Sequence, residues 1–204
     1  MQLFVTGIGT DVGKTVVAAI LTEALHADYW KPVQAGDLEN SDTHKVRRLI
    51  SNDKTVFHPS AYALQTPMSP HAAAAIDGVE IELDKIKRPK TDNHLVIEGA
   101  GGLLVPLNDK DTVLDLAQPN DHIIMVSRHY LGSINHSLLS IALLKARGFE
   151  KVSIVFSGDE HPTTENIITT MYPDVPVLGR IEQEPYFDKN VVKAYADDFK
   201  SKLL

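Results

Sequence analysis

Apolar residues along this chain fall into short, nearly continuous runs, separated by longer segments with helical spacing. The runs QLFVT (2–6), DYWKPV (28–33), HLVIE (94–98), HIIMVS (122–127), KVSIVF (151–156) and PVL (176–178) predict strands. Several lack clean alternation, as expected for parallel strands covered on both faces. Segments 14–26, 42–51, 69–77, 112–118, 134–147, 162–171 and 188–202 predict helices. This rhythm predicts an α/β fold: one domain spanning 1–204, a doubly wound, mostly parallel sheet with helices on both faces.

Two helices are unusually apolar. After Lys14, VVAAILTEAL is apolar on nearly every side and is expected beside the sheet. SINHSLLSIALLKARG carries no charge until Lys145 and Arg147, cations that suit the dipole of a last turn before Gly148. It is expected either to be sandwiched within its own domain or to cover a partner subunit. The polar, Lys-rich stretch 77–93 reads as a solvated loop with one helical turn. No repeat or low-complexity tract is present.

Composition narrows the function. The chain has 204 residues, 43% hydrophobic and 23% charged, the profile of a globular domain with a sizeable core. A net charge of -7 and a pI near 5.7 argue against a nucleic-acid partner, which demands surplus Lys and Arg. With no cysteine, disulfides, thiolate metal sites and cysteine nucleophiles are excluded. There is no signal-type segment, and no apolar run nears the roughly 18 residues of a membrane span. The expectation is a soluble, cytoplasmic protein with no membrane partner.

The stretch TGIGTDVGKT (6–15) invites two readings. A dinucleotide fingerprint needs a glycine where Val12 stands, and an acid about 20 residues on, where WKPVQ lies. A triphosphate loop needs its first glycine at position 8, and it stands at Gly7, one residue early. Everything else favours phosphate: a strand before, Gly13-Lys14-Thr15, and a helix after. Backbone N–H groups of such a loop form an anion nest, with Lys14 reaching the terminal phosphates and Thr15 ligating Mg²⁺. Mg²⁺ needs further oxygens. Glu98, read as a strand end, and Asp42, which reads equally as a helix cap, are the candidates. The nine histidines show no zinc-like spacing, and neither His71 nor His136 is assigned as a general base.

Several segments, in order, resemble one family. TGIGTDVGKT, KPVQAG (31–36), NSD (40–42), SPH (69–71), IEGAGG (97–102) and LGSINH (131–136) follow the succession seen in dethiobiotin synthetase, whose phosphate loop shares the early glycine. The resemblance implies a P-loop fold and an ATP- and Mg²⁺-dependent ligase. Such an enzyme closes the ureido ring of dethiobiotin from 7,8-diaminononanoate and CO₂, through a carbamate and a carbamic-phosphoric anhydride. It implies Lys14 and Lys31 as catalytic cations, and Thr15, Asp42 and Glu98 as Mg²⁺ ligands. It places Thr10, Asp11, Val12, Gly13, Lys14, Thr15 and Val16 at the nucleotide, with Gly99, Ala100, Gly101, Gly158 and Glu182. Substrate is met by Thr10, Lys14, Lys31, Ala35 and Gly101. Across a homodimer interface, the helix start at Gly132, Ser133, Ile134 and Asn135 holds the substrate's carboxylate.

The chain departs from that pattern at three places. Ala35 stands where a hydroxyl usually touches substrate. Ser157-Gly158 replaces an adenine-reading Asn, and IEQE (181–184) lacks the customary proline, which opens GTP or CTP use. The related amidation enzymes, which carry a cysteine-dependent glutaminase domain, do not fit this length or composition. A partition or septum-placing switch ATPase is the alternative, but its extra loop lysine is missing at Ile8-Gly9-Thr10.

Overall fold

The computed structural model describes residues 1–203. Seven parallel strands form the central sheet: β1 (Gln2–Gly7), β2 (Asp28–Trp30), β4 (Phe57–His58), β6 (Leu95–Gly102), β7 (His122–Arg128), β8 (Val152–Ser157) and β9 (Val177–Ile181). Their order is β4-β2-β6-β1-β7-β8-β9. A side sheet pairs β3 (Val33–Ala35) with β5 (Tyr62–Leu64), also in parallel. The helices are α1 (Lys14–Leu25), α2 (Asp42–Leu49), α3 (Pro70–Asp77), α4 (Ser133–Ala146), α5 (Pro162–Met171) and α6 (Lys189–Leu203). The expected doubly wound α/β architecture is therefore present.

The continuous apolar runs follow from two cores, one on each face. Successive residues of a strand point to opposite faces. Leu3 and Val5, Val96, and Ile124 and Val126 accordingly face a core built with α1, α2 and α6. Phe4, Leu95 and Ile97, and Ile123 and Met125 face the other, closed by α3, α4 and α5. A strand serving both cores has no polar side to show. The α1 run is buried almost throughout, as its composition predicts.

Four expectations need correction. The run 28–33 is two strands: Lys31-Pro32 interrupts it, and the chain leaves the main sheet for the side sheet. Proline, having no N–H, cannot donate to a ladder at that point. The short strands β4 and β5 go unpredicted because two or three residues carry too little pattern to read. Segment 112–118 forms only a 3₁₀ turn, Val113–Leu116, closed by a Thr112/Asp115 capping box. Finally, Glu98 does not end its strand, for β6 runs on to Gly102. The single turn expected within 77–93 is present as a 3₁₀ turn, Leu83–Lys85. Among the described residues, no helix is long and apolar enough to cross a membrane.

Packing leaves no room at Gly179 of β9, where an added Cβ would run into Cε1 of the fully buried Phe199 of α6. Gly179→Ala should therefore lower stability by about 1–3 kcal/mol through overpacking. Phe199→Leu in the same chain should return part of that loss, as read by urea denaturation of the single and double variants.

Candidate active site

A cleft of about 680 Å³ opens at the C-terminal edge of β1, β2 and β6. One wall is the loop between β1 and α1. Gly13, with φ of 100°, turns the chain into α1, and no side chain caps that helix start. Its first-turn N–H groups and the positive end of its dipole suit an anion. Lys14 folds back over the loop, and its Nζ donates to the Gly9 carbonyl at 2.7 Å. Burial, and then the neighbouring Lys31 ammonium, pull its pKa down to about 8.

Glu98 stands at the centre. Its Oε1 accepts from Thr15 Oγ1 at 2.9 Å and from Lys31 Nζ at 3.0 Å, and its Oε2 accepts from Tyr29 OH at 2.8 Å. Lys31 is only 4% exposed. Its ammonium also reaches Asp42 Oδ2 at 2.7 Å and donates to the Gly99 carbonyl at 3.0 Å. Burial opposes the Lys31 charge, but Glu98 and Asp42 outweigh it and raise its pKa. Burial likewise opposes the Asp42 charge, and Lys31 and Lys45 overcome it and hold its pKa below the usual carboxylate range. Desolvation and the Glu98 charge keep the buried Tyr29 phenol protonated.

The backbone explains how these groups meet. The Lys31-Pro32 break carries Lys31 past the end of the sheet. Along β6, Val5 pairs with Glu98 but Gly7 pairs with Gly102, so Gly99–Gly101 stand opposite Thr6 alone, a bulge with two extra residues. That bulge, rather than a turn after the strand, brings Ala100 and Gly101 to the cleft wall. Asp42 is the first residue of α2, whose N-cap is Ser41, paired with His44 in a capping box. The cap reading thus belongs to Ser41, and Asp42 is left to face Lys31. Gln34 fixes this start: its Oε1 accepts from Asp42 N at 3.2 Å, and its Nε2 donates to Gly36 O at 3.0 Å.

Thr10, Asp11, Gly13, Lys14, Thr15, Val16, Lys31, Ala35, Asp42, Glu98, Ala100 and Gly101 all line the cleft. Val12 is buried in the core, and Gly99 offers the carbonyl already described. Gly158 and Glu182 line a smaller cavity of about 180 Å³ that shares Asp11, Gly13 and Val16 with the cleft. Gly132, Ser133, Ile134 and Asn135 line neither cavity and lie at the start of α4. His71 hydrogen-bonds Ser69 at the cleft's edge and His136 hydrogen-bonds Tyr130, and neither histidine lines the cleft. Sequence reasoning missed Tyr29, Gln34 and an apolar wall of Val33, Pro67, Met68 and Val105. Tyr29 had a usable signal, a phenol inside an otherwise apolar strand. The wall had none, because residues 65–69 meet β3 only through the side sheet.

Among the described residues, no three His, Cys, Asp or Glu side chains gather to hold a metal. Two carboxylates and a hydroxyl do converge, an all-oxygen set suited to a hard cation that takes its other ligands from phosphate and water.

A family model described as an AAA domain matches residues 1–191. The ATP-dependent dethiobiotin synthetase BioD of Christiangramia forsetii is 64% identical to this chain, over 98% of it and 96% of the relative. The protein of the same name from Cytophaga hutchinsonii is 51% identical, over 96% and 95%. Among solved structures, the MinC:MinD cell division protein complex of Aquifex aeolicus aligns with a TM-score of 0.61. That alignment covers 99% of this chain and 95% of the other at 14% identity, a likeness of fold alone.

Two outcomes follow from the geometry. Tyr29→Phe removes the donor to Glu98 Oε2 and should lower stability by about 1–3 kcal/mol in chemical denaturation, the cost of a buried unpaired acceptor. A polyphosphate anion beside Lys14 favours the ammonium and raises its pKa from about 8. Binding of tripolyphosphate above that pH should thus take up protons. Titration calorimetry in buffers of different ionisation heats checks this, and heats independent of the buffer would contradict it.

Proposed function

The chain belongs to the ATP-dependent dethiobiotin synthetase family, and from that premise we propose how its cleft carries out the family's reaction. The enzyme is an ATP-dependent cyclo-ligase of biotin synthesis, closing the ureido ring of dethiobiotin from 7,8-diaminononanoate and CO₂. One amine of the diamine forms a carbamate with CO₂. A carbamate oxygen attacks the γ-phosphorus of ATP and ADP leaves, giving a carbamic-phosphoric anhydride. The second amine then attacks the carbonyl carbon, and phosphate departs as the ring closes.

The observation that carries the residue assignment is the convergence of Thr15 and Lys31 on Glu98, with Asp42 paired to the same Lys31 ammonium. Carbamate and phosphoryl group are both anionic, so the site has to position them and offset their charge. We assign that role to Lys14 from the loop side and Lys31 from the sheet side. The first turn of α1 holds the phosphates, with Thr10, Asp11, Gly13, Thr15 and Val16 around them. Thr15, Asp42 and Glu98 would hold Mg²⁺, which when bound neutralises phosphate charge. In the free protein Lys31 is the counter-cation of both acids. With a metal ion held by Thr15, Asp42 and Glu98, Lys31 would serve as the cation for the carbamate.

Gly101 and the bulge give the substrate a close main-chain approach, and the apolar wall suits the diamine's methylene chain. Ala35 adds only a methyl group, so no hydroxyl from that position meets the substrate. Gly158 and Glu182 belong to the nucleoside end. Support for a homodimer comes from α4, where the fully exposed Leu131 and the exposed Ile134 and Leu139 form an apolar edge beside the uncapped helix start at Gly132–Asn135. A partner's carboxylate-bearing substrate would meet those N–H groups. The reading also makes the whole chain one working domain in the cytoplasm, where ATP is at hand.

Lys31→Ala should lower diamine-dependent phosphate release by roughly 100- to 1,000-fold, the scale of losing one charge-stabilising group. The assay compares release with and without diamine and bicarbonate, with circular dichroism as the folding control. Turnover by the wild type without diamine would instead favour the switch-ATPase reading.

A further inference from the structure

The smaller cavity holds a cation that the mechanism leaves unused. Arg128, the last residue of β7, lines it together with Gly13, Ser157, Gly158 and Glu182. Arg128 is exposed and, among the described residues, has no acidic partner; its Nη1 donates to the Asp11 carbonyl at 3.1 Å. Of the three acids that line the cavity, Glu182 and Glu184 are engaged elsewhere, and Asp11 meets Arg128 through its backbone carbonyl. Glu182 pairs with Arg180 at 3.3 Å, and Glu184 accepts from Tyr195 OH at 2.7 Å. Arg128 is thus tethered to the phosphate loop by one N–H while the rest of its guanidinium faces the cavity.

Position decides what it meets. Lys14, Thr15, Lys31, Asp42 and Glu98 all line the larger cleft, and none lines the smaller cavity. Arg128 lines the smaller one and not the larger. A nucleotide with its terminal phosphates at Lys14 crosses the shared residues Gly13 and Val16 and brings its nucleoside end into the smaller cavity. At about 180 Å³, that space lies below the roughly 300–1,000 Å³ of pockets for drug-sized ligands, and it suits one flat ring system. Ile181 and Phe187 give it an apolar side, and Gln183 brings a side-chain amide to its lining where Ser157-Gly158 brings none. Beside that amide, Arg128 is the one planar, weakly hydrated cation of the lining. Guanidinium planes stack on aromatic rings, and such stacking tolerates any base.

Resting on the nucleotide reading above, we propose that Arg128 is a nucleoside-contacting residue whose guanidinium, tethered to Asp11, covers the ring face of the bound base. That contact grips the ring face and does not itself choose among bases.

Titration calorimetry of wild type, Arg128→Ala and Arg128→Lys with Mg-ATP, Mg-GTP, Mg-CTP and inorganic tripolyphosphate tests this. Arg128→Ala should weaken each nucleotide about tenfold, the scale of one base stack. Tripolyphosphate affinity should stay within about twofold of wild type, less than the tenfold that 1.4 kcal/mol represents. Arg128→Lys, charged but not planar, should restore little. In turnover, KM for ATP should rise while kcat and the KM for diamine hold. Equal weakening of ATP and tripolyphosphate would overturn the proposal, because Arg128 would then act through the phosphate loop. Unchanged nucleotide affinity, full rescue by Lys, or a loss confined to one base would overturn it too. Wild-type protein that binds neither ATP nor tripolyphosphate would bring down the nucleotide reading itself, and this inference with it.

Discussion

The active cleft depends on one buried ammonium. Lys31 sits between Glu98 and Asp42, on strand β6 and helix α2 respectively, and holds them together before any ligand arrives. Two acids this close would repel in a dry site, and their coexistence follows from the charge between them. The arrangement is costly to bury, so the surroundings fill every remaining hydrogen-bonding position. Tyr29, Thr15 and the Gly99 carbonyl each take one. In the mechanism proposed above, Thr15 and these two acids would hold a metal ion, and Lys31 would serve the anionic substrate. The same ammonium fixes both acids at the cleft wall.

The backbone events that create this pairing are small. A proline takes one strand out of the sheet, and a two-residue excess in β6 pushes small residues toward the cleft. An uncapped Gly13 turns the first loop into a helix start. None of these adds a stabilising contact of its own. Each diverts backbone from the regular ladder, and the two cores on either face of the sheet supply the rigidity that keeps the diversions fixed.

Much of this was legible in the amino-acid order. The strand–loop–helix at 2–25 and the unbroken apolar runs gave the fold, because two-sided burial leaves no polar alternation. Lys14, Thr15 and Lys31 were readable from the motifs that contain them. What could not be read depended on contacts distant in sequence. Asp42 and Ser41 exchange the cap role according to which side chain turns back, and adjacent residues both look like caps. The Gly99–Gly101 bulge is a matter of register between β1 and β6, which neither strand encodes alone. Pro67 and Met68 join the cleft only because β5 pairs with β3. Arg128 looks like any charged residue at a strand end until Asp11 is seen beside it.

The side sheet of β3 and β5 separates two kinds of evolutionary freedom. Lys14, Thr15, Asp42 and Glu98 hang from the main sheet and its helices, where a shift of any strand would disturb both cores. The opposite wall, with Val33, Ala35 and residues 67–68, belongs to a two-stranded flap joined to the rest at Lys31-Pro32. The flap is not independent of the acids, for Gln34 ties β3 to the Asp42 start of α2, and Val33 and Leu64 enter the core. Variation that spares the acids is thereby confined to the tip at 67–68, whose side chains shape the wall without holding that helix start.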